Sequence, residues 1–439
     1  MFEQHNLADI IDEYADELEN RQQQGYSDIS DGSEYKRSHR PGRYNLTFLG
    51  HTDGLQITES SDVALWPLEF VILEVPHDVR FKFLIIAGVW VDSNHPYMNC
   101  YLKPFVDELN LVNETGIKWI HPRTKTEEIT YVTAPVFCAD APVRADLQNL
   151  MHHGGRYCCH LCEQKMVLLE PEPIPPGCEK PPKRKRAFTF QEQPSRLRSA
   201  QRMQRQALAT RELQKVQEKA KPVKGVKGNS IVARLPGCDI STCVYPEYMH
   251  LLLGIVKLFM ELWFETDGKW SLKHCRDDIN SFLVSIRVPD YVTRIIRSTN
   301  CYTRWKANEL RTFLLYISLI ILSEFNMDKE YTQHWILLVG GMELLLQQTV
   351  SESDIRKAEL LFKMFLRDFS RLYPKKKFTF NLHELLHLGL VTRLWGPVFL
   401  NSAFWFEGYN GILTRCIHGS KEQGKELVNT IQLIQGVQM

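Results

Sequence analysis

The 439-residue chain has almost no net charge: 53 lysines and arginines stand against 52 aspartates and glutamates, formally +1. Bulk attraction to a polyanion is therefore excluded, and any nucleic-acid surface has to be local. A charged-then-apolar leader is missing, since Met1-Phe2-Glu3-Gln4-His5 opens acidic, which argues against secretion. A membrane-length apolar run is missing too; the longest, Phe313 to Leu322, suits a buried helix. The eleven cysteines have no regular spacing, so reduced thiols or metal ligands are expected rather than a disulfide framework. No internal repeat is present. What the chain does have is a 44% hydrophobic fraction, enough for a large core, and length for two or three domains.

Residues 1–43 read as a polar, poorly packed leader. Three branched and aromatic runs follow: Tyr44 to Leu49, Leu65 to Leu73 and Phe81 to Val91. Turn chemistry separates them (Asp53-Gly54; Val75-Pro76-His77-Asp78), which predicts an antiparallel meander. A helix over 98–111, a strand over 129–138 and a helix over 143–150 come next. This β-β-β-α-β-α order predicts an α/β chain: a ribonuclease-H-like mixed sheet, first part 44–167, interrupted by a large, mostly α-helical insertion.

Residues 168–228 are Pro-rich and then basic, with Lys183, Arg184, Lys185 and Arg186 in succession and an amphipathic helix predicted over 195–219. The run reads either as a solvated linker or as a nuclear-import signal or phosphate-binding arm. Helices of core character fill 229–380, and 381–439 supplies further helices that complete the core.

Three acids stand where chemistry would need them. Asp53 follows the first strand, Asp140 ends the fourth, and Glu407 interrupts the aromatic stretch Phe404-Trp-Phe-Glu-Gly-Tyr-Asn410. Each alone is also an ordinary turn or cap residue, and Asp146 competes with Asp140. If the first and fourth strands are neighbours, the three could hold two Mg²⁺ ions about 3.5–4 Å apart for phosphodiester chemistry. Cys159 and Cys162 form a CxxC pair, half of a zinc site. His383 and His387, one helical turn apart, could supply the other half. His383-Glu384-Leu385-Leu386-His387 also matches the zinc-peptidase helix HExxH, with Glu384 as general base and Glu407, 407 − 387 = 20 positions on, as third ligand.

Short stretches run in order through Thr52-Asp53-Gly54, Trp66-Pro67, Arg80 to Phe83, Ala87 to Trp90, Leu102 to Leu109 and Ala139 to Ala145. They continue through Gly155 to Glu163, Met249 to Gly254, Asn381-Leu382-His383, Trp395-Gly396-Pro397 and Phe406 to Gly411. In these the chain resembles CACTA (En/Spm-type) DNA transposases and, more distantly, the catalytic core of the vertebrate antigen-receptor recombinase. The resemblance implies a DDE triad of Asp53, Asp140 and Glu407 with two Mg²⁺ (or Mn²⁺), and a structural zinc on Cys159, Cys162, His383 and His387. Double-stranded DNA, both terminal inverted repeats and target, is the implied partner, bound by a homodimer on paired ends in the nucleus, with no membrane. His250 matches a recurrent Met-His of undetermined role. A domesticated, non-catalytic DNA- or chromatin-binding protein is the alternative.

Overall fold

In the computed structural model of the protein, residues 2, 6–22, 24–56, 63–170, 185–287, 292, 294–417 and 423–438 are described. The chain opens with α1 (Leu7–Asn20), a 3-10 turn and α2 (Ser33–Ser38). Composition alone reads this stretch as unpacked, and the structure corrects that. Leu7, Ile11 and Tyr14 recur at helical spacing and are buried, because three or four apolar residues on one stripe suffice to dock an otherwise acidic helix. Ion pairs of Arg43 with Asp12 and of Arg123 with Asp9 fasten its polar side.

The sheet is mixed and holds β1 (Leu46–His51), β2 (Leu55–Gln56), β3 (Ala64–Ile72), β4 (Ile85–Asp92) and β7 (Val132–Cys138). β3 pairs antiparallel with β1, β2 and β4, while β1 and β7 run parallel as neighbours. The predicted third strand starts late: α3 (His77–Arg80) precedes it, and a 3-10 turn, Phe81–Phe83, occupies its first residues. Arg80 is buried there and donates to the carbonyls of Leu73 and Val75, absorbing the chain reversal after β3.

β1 and β2 lie along the same edge of β3 with an unbroken register: His51 faces Glu69 before the gap and Leu55 faces Leu65 after it. Asp53 therefore falls opposite Pro67. Leu73 N donates to Thr47 O, and alternation along β3 turns Pro67 toward the same edge. Proline has no N–H to give, so the ladder opens where Asp53 needs to leave it.

Next come α4 (Met98–Tyr101), α5 (Lys103–Thr115) and a separate hairpin of β5 (Ile117–Ile120) and β6 (Glu127–Thr130); the predicted strand over 129–138 had joined the end of β6 to β7 and left β5 out. α6 (Ala141–Leu147) follows β7, and β8 (Val167–Leu168) pairs with β9 (Arg186–Ala187) ahead of α7 (Ala200–Val216). The helical body consists of α8 (Tyr248–Glu265), α9 (Arg276–Ser285), α10 (Ala307–Thr312), α11 (Ser318–Glu324), α12 (Lys329–Leu345) and α13 (Glu352–Leu372). A π-helical turn, Phe313–Ile317, joins α10 to α11 where a single helix is predicted. Then follow α14 (Phe380–Glu384), α15 (Leu388–Trp395), α16 (Phe404–Arg415) and α17 (Gln423–Gln438).

Both faces of the sheet are covered. Leu68, Phe70 and Ile72 of β3 pack with Val106 of α5 and Met203 of α7, whereas Val71 and Leu73 join the core of the helical body. The helical body begins later than the expected 229: Val232, Leu235, Cys243 and Val244 belong to the sheet's core, and Phe137 N donates to Cys243 O. A short apolar segment with one free edge binds a sheet more readily than a helix bundle. Fully burying each such side chain contributes about 1.5–3 kcal/mol.

Two candidate metal centres

Cys159 and Cys162 lie in the loop after α6, and Cys162 N donates to Cys159 Sγ at 3.4 Å. Buried Arg198 grips the loop by donating from Nε to the Cys159 carbonyl, 2.8 Å. His383 lies in the last turn of α14 and His387 closes the 3-10 turn before α15, so the bend between the helices aims both rings at the loop. Phe188 stacks on His383 at 4.0 Å between centroids.

The four ligand atoms converge: Cys159 Sγ to His387 Nε2, Cys162 Sγ to His383 Nε2, and the two Nε2 atoms to each other are each 3.3 Å. A tetrahedral zinc site with Zn–S near 2.3 Å and Zn–N near 2.0–2.1 Å has ligand–ligand edges of roughly 3.3–3.8 Å. The donor set and its spacing fit zinc with no open position. Burial opposes a thiolate here, yet the Cys162 thiol and both imidazoles hold Cys159 well below the usual thiol range; Cys162, giving that bond, is pushed up. All four residues are buried.

Glu384, between the histidines, points elsewhere. Its two oxygens accept from Arg144 Nη1 and Nη2 at 2.7 and 2.8 Å, and both partners are buried. This bidentate pair binds α6 to α14, and it leaves Glu384 committed as an acceptor.

The acids come together differently. Alternation turns His51, Asp53 and Glu69 to the sheet face that α16 covers, and β7 sends Asp140 to the same face beside them. Asp53 Oδ1 accepts from Gly54 N at 2.7 Å, and Asp140 caps α6 by accepting from Val143 N at 2.9 Å. α16 is pinned over this end: Phe406 stacks on buried His51 at 4.5 Å, and Cys138 Sγ donates to Asn401 O at 3.4 Å. Phe406 faces the sheet, so Glu407 next to it sits on the rim, its side chain 44% exposed.

Burial, then the nearby Asp140 carboxylate, push the Asp53 carboxyl up to about 6, with Glu407 adding to the rise and His250 opposing it. Those contributions place the three acids in one electrostatic field. They are not drawn as tight as the sulfur–nitrogen group: among the described residues, only that group and Asp9, Asp12 and His121 bring three or more such ligand atoms within 4.8 Å. Asp9 and Asp12 already face Arg43 and Arg123, so that third group is an ion-pair knot.

Two residues escaped or resisted the sequence reading. Glu69 is fully buried and neither carboxyl oxygen has a hydrogen-bond partner. Burial, then Asp53, push it up to about 8. A glutamate in a strand otherwise apolar from Leu65 to Leu73 was the available signal. His250 of α8 touches acids on both sides: Nδ1 to Glu247 Oε2 at 2.9 Å and Nε2 to Glu407 Oε1 at 3.2 Å. Burial pulls it down, but the bonds to Glu247 and Glu407 outweigh it and push it up to about 10.

Lys183 and Arg184 lie outside the described residues. Lys185 and Arg186 are exposed at β9, and α7 carries further exposed cations at Arg205, Arg211 and Lys215. Among the described residues, no helix is long and apolar enough to cross a membrane. No protein-family model matches the chain, and no curated protein matches it significantly.

Proposed function

We propose that the protein is a DDE-type DNA strand-transferase, or a nuclease derived from one, built on a ribonuclease-H-like sheet. The observation that carries this reading is the placement of Asp53 and Asp140 at the ends of neighbouring parallel strands, on the face over which α16 holds Glu407. In this reading the three carboxylates hold two Mg²⁺ ions, which when bound activate a water or hydroxyl nucleophile and neutralise the leaving oxygen. The protein's own part is positional. Gly54 N orients Asp53, α6 anchors Asp140, and the His51–Phe406 stack sets the height of α16 above the sheet. The raised Asp53 supports the reading as well: two carboxylates that repel one another are relieved by a cation.

In the same reading the Cys₂His₂ group holds a structural zinc that ties α14 to the loop after α6. The peptidase alternative is disfavoured because Glu384 is already bound by Arg144 and the four ligands close the coordination sphere. Double-stranded DNA is the proposed partner, met by Lys185, Arg186 and the cationic face of α7, with a homodimer acting on paired ends in the nucleus.

Supercoiled plasmid with MgCl₂ or MnCl₂ tests the chemistry. The wild-type protein nicks it, and Asp53→Asn, Asp140→Asn and Glu407→Gln each abolish nicking. Full activity in Asp140→Asn refutes the assignment. DNA retention with steep salt dependence but no nicking in either metal establishes the non-catalytic alternative instead.

A further inference from the structure

Glu247 is a carboxylate where an α/β core has no evident use for one. It is fully buried, at 1% exposure, in the segment that passes from the sheet to the helical body. A buried, ionised acid is costly unless its oxygens are satisfied, and here they are. Oε1 accepts from Met249 N at 2.8 Å and from Ala403 N at 3.1 Å; Oε2 accepts from His250 N and His250 Nδ1, both at 2.9 Å.

Two of the four donors belong to the first turn of α8, whose N-cap is Glu247. The third, Ala403 N, belongs to the N-cap of α16, the helix that carries Glu407. One side chain therefore closes the N-termini of two helices 156 residues apart in sequence. The fourth donor, the His250 ring, passes its other nitrogen to Glu407 at 3.2 Å. Glu407 is thus held twice from one point: through the backbone at Ala403 and through the imidazole at its own carboxylate.

We infer that Glu247 is a positioning residue that, with His250 as its intermediary, fastens the helical body to α16 and sets the place of the Glu407 carboxylate. This deepens the two-metal reading and rests on it for its catalytic consequence, though the mechanical link stands on the hydrogen bonds alone. The helical body then does more than lengthen the chain: a shift of α8 moves Glu407. Glu247→Gln keeps size and shape but presents an NH₂ where one acceptor oxygen stood, so either the His250 pair or the α16 cap is lost. His250→Ala removes only the link to Glu407 and leaves both caps intact.

The test has two arms. Hydrogen exchange on the full chain reads the link without metal or DNA: Glu247→Gln speeds exchange either of the Ala403 amide with the first turn of α16 or of the His250 amide, while His250→Ala leaves the Ala403 amide protected. Mn²⁺ binding followed by electron paramagnetic resonance reads the consequence. Both variants weaken the Asp140-dependent Mn²⁺ signal by about tenfold or more, as supporting partners of metal ligands do. The double variant is no weaker than Glu247→Gln alone, because the two act in one chain of contacts.

Unchanged exchange at both the Ala403 and the His250 amide in a folded Glu247→Gln protein overturns the link. Faster exchange at either, combined with Mn²⁺ affinity within twofold of wild type in both variants, overturns the positioning of Glu407. A wild-type protein with no Asp140-dependent Mn²⁺ site sinks the two-metal reading instead, and the exchange arm still decides the link.

Discussion

The Cys₂His₂ group and the carboxylate end lie in the same core yet are built on opposite principles. In the first, four soft ligands meet at 3.3 Å edges, buried and braced by Arg198 and Phe188. In the second, carboxylates are held apart: Asp53 repels Asp140, Glu407 lies on the rim and Glu69 lies buried without a partner. One arrangement is complete once its ion is in place. The other is electrostatically unfinished and reachable from outside. On the proposed reading, the structural metal sits where its binding energy can become folding energy, whereas the carboxylate end keeps a repulsion that a cation relieves.

The comparison breaks most sharply if the two groups respond alike to loss of their ions. Chelation, or Cys162→Ser, is expected to lower the thermal midpoint severely, since structural zinc supplies on the order of 10 kcal/mol in small domains. A melt unmoved by chelator removes zinc from the account. Arg144→Leu ranks next. Leaving Glu384 buried and unpaired beside the zinc ligands costs about 3–5 kcal/mol, measurable by chemical denaturation. Arg144→Leu combined with Glu384→Leu recovers much of that loss.

A smaller effect separates the acids by pH. Glu69 has a folded value of about 8 against an ordinary value near 4.5. The fold thus prefers its neutral form, and stability declines as pH rises from about 4.5 toward 8. Glu69→Gln is therefore expected to be more stable than wild type at pH 9 and to lose that advantage at pH 5. An advantage independent of pH shows that Glu69 is not titrating. The smallest effect is expected at the acids themselves. Asp140→Asn keeps the α6 cap, because asparagine caps as well as aspartate, and Asp53→Asn relieves repulsion, so the midpoint holds or rises slightly. A substantial loss of stability in either variant would make these acids structural and erase the contrast.

Much of this was legible in the chain itself. The α/β character, the order of the principal strands, the CxxC pair and the i, i+4 histidines all follow from periodicity and spacing, because strands and helices print their period locally. The Pro67 interruption was visible as a residue but not as a break in the ladder, since its meaning depends on Asp53 standing opposite. Other features lay beyond reach. The burial of α1 turned on where its three apolar residues dock, and the β5–β6 hairpin was hidden in a polar run. Glu384 looked like a base until Arg144, 240 residues away, was found to hold it.

The sequence by itself determined which groups are available: a thiol–imidazole set that suits zinc, carboxylates just after two strands and within a late aromatic stretch, and a near-neutral chain with a local basic run. Only the tertiary structure decided which groups meet. It drew the first set into one buried group, brought α16 over the sheet, buried Glu69 without a partner and joined Glu247 to two helix starts. The physical reason is that residue type and period are local properties, whereas desolvation and pairing depend on what the fold carries in from hundreds of residues away.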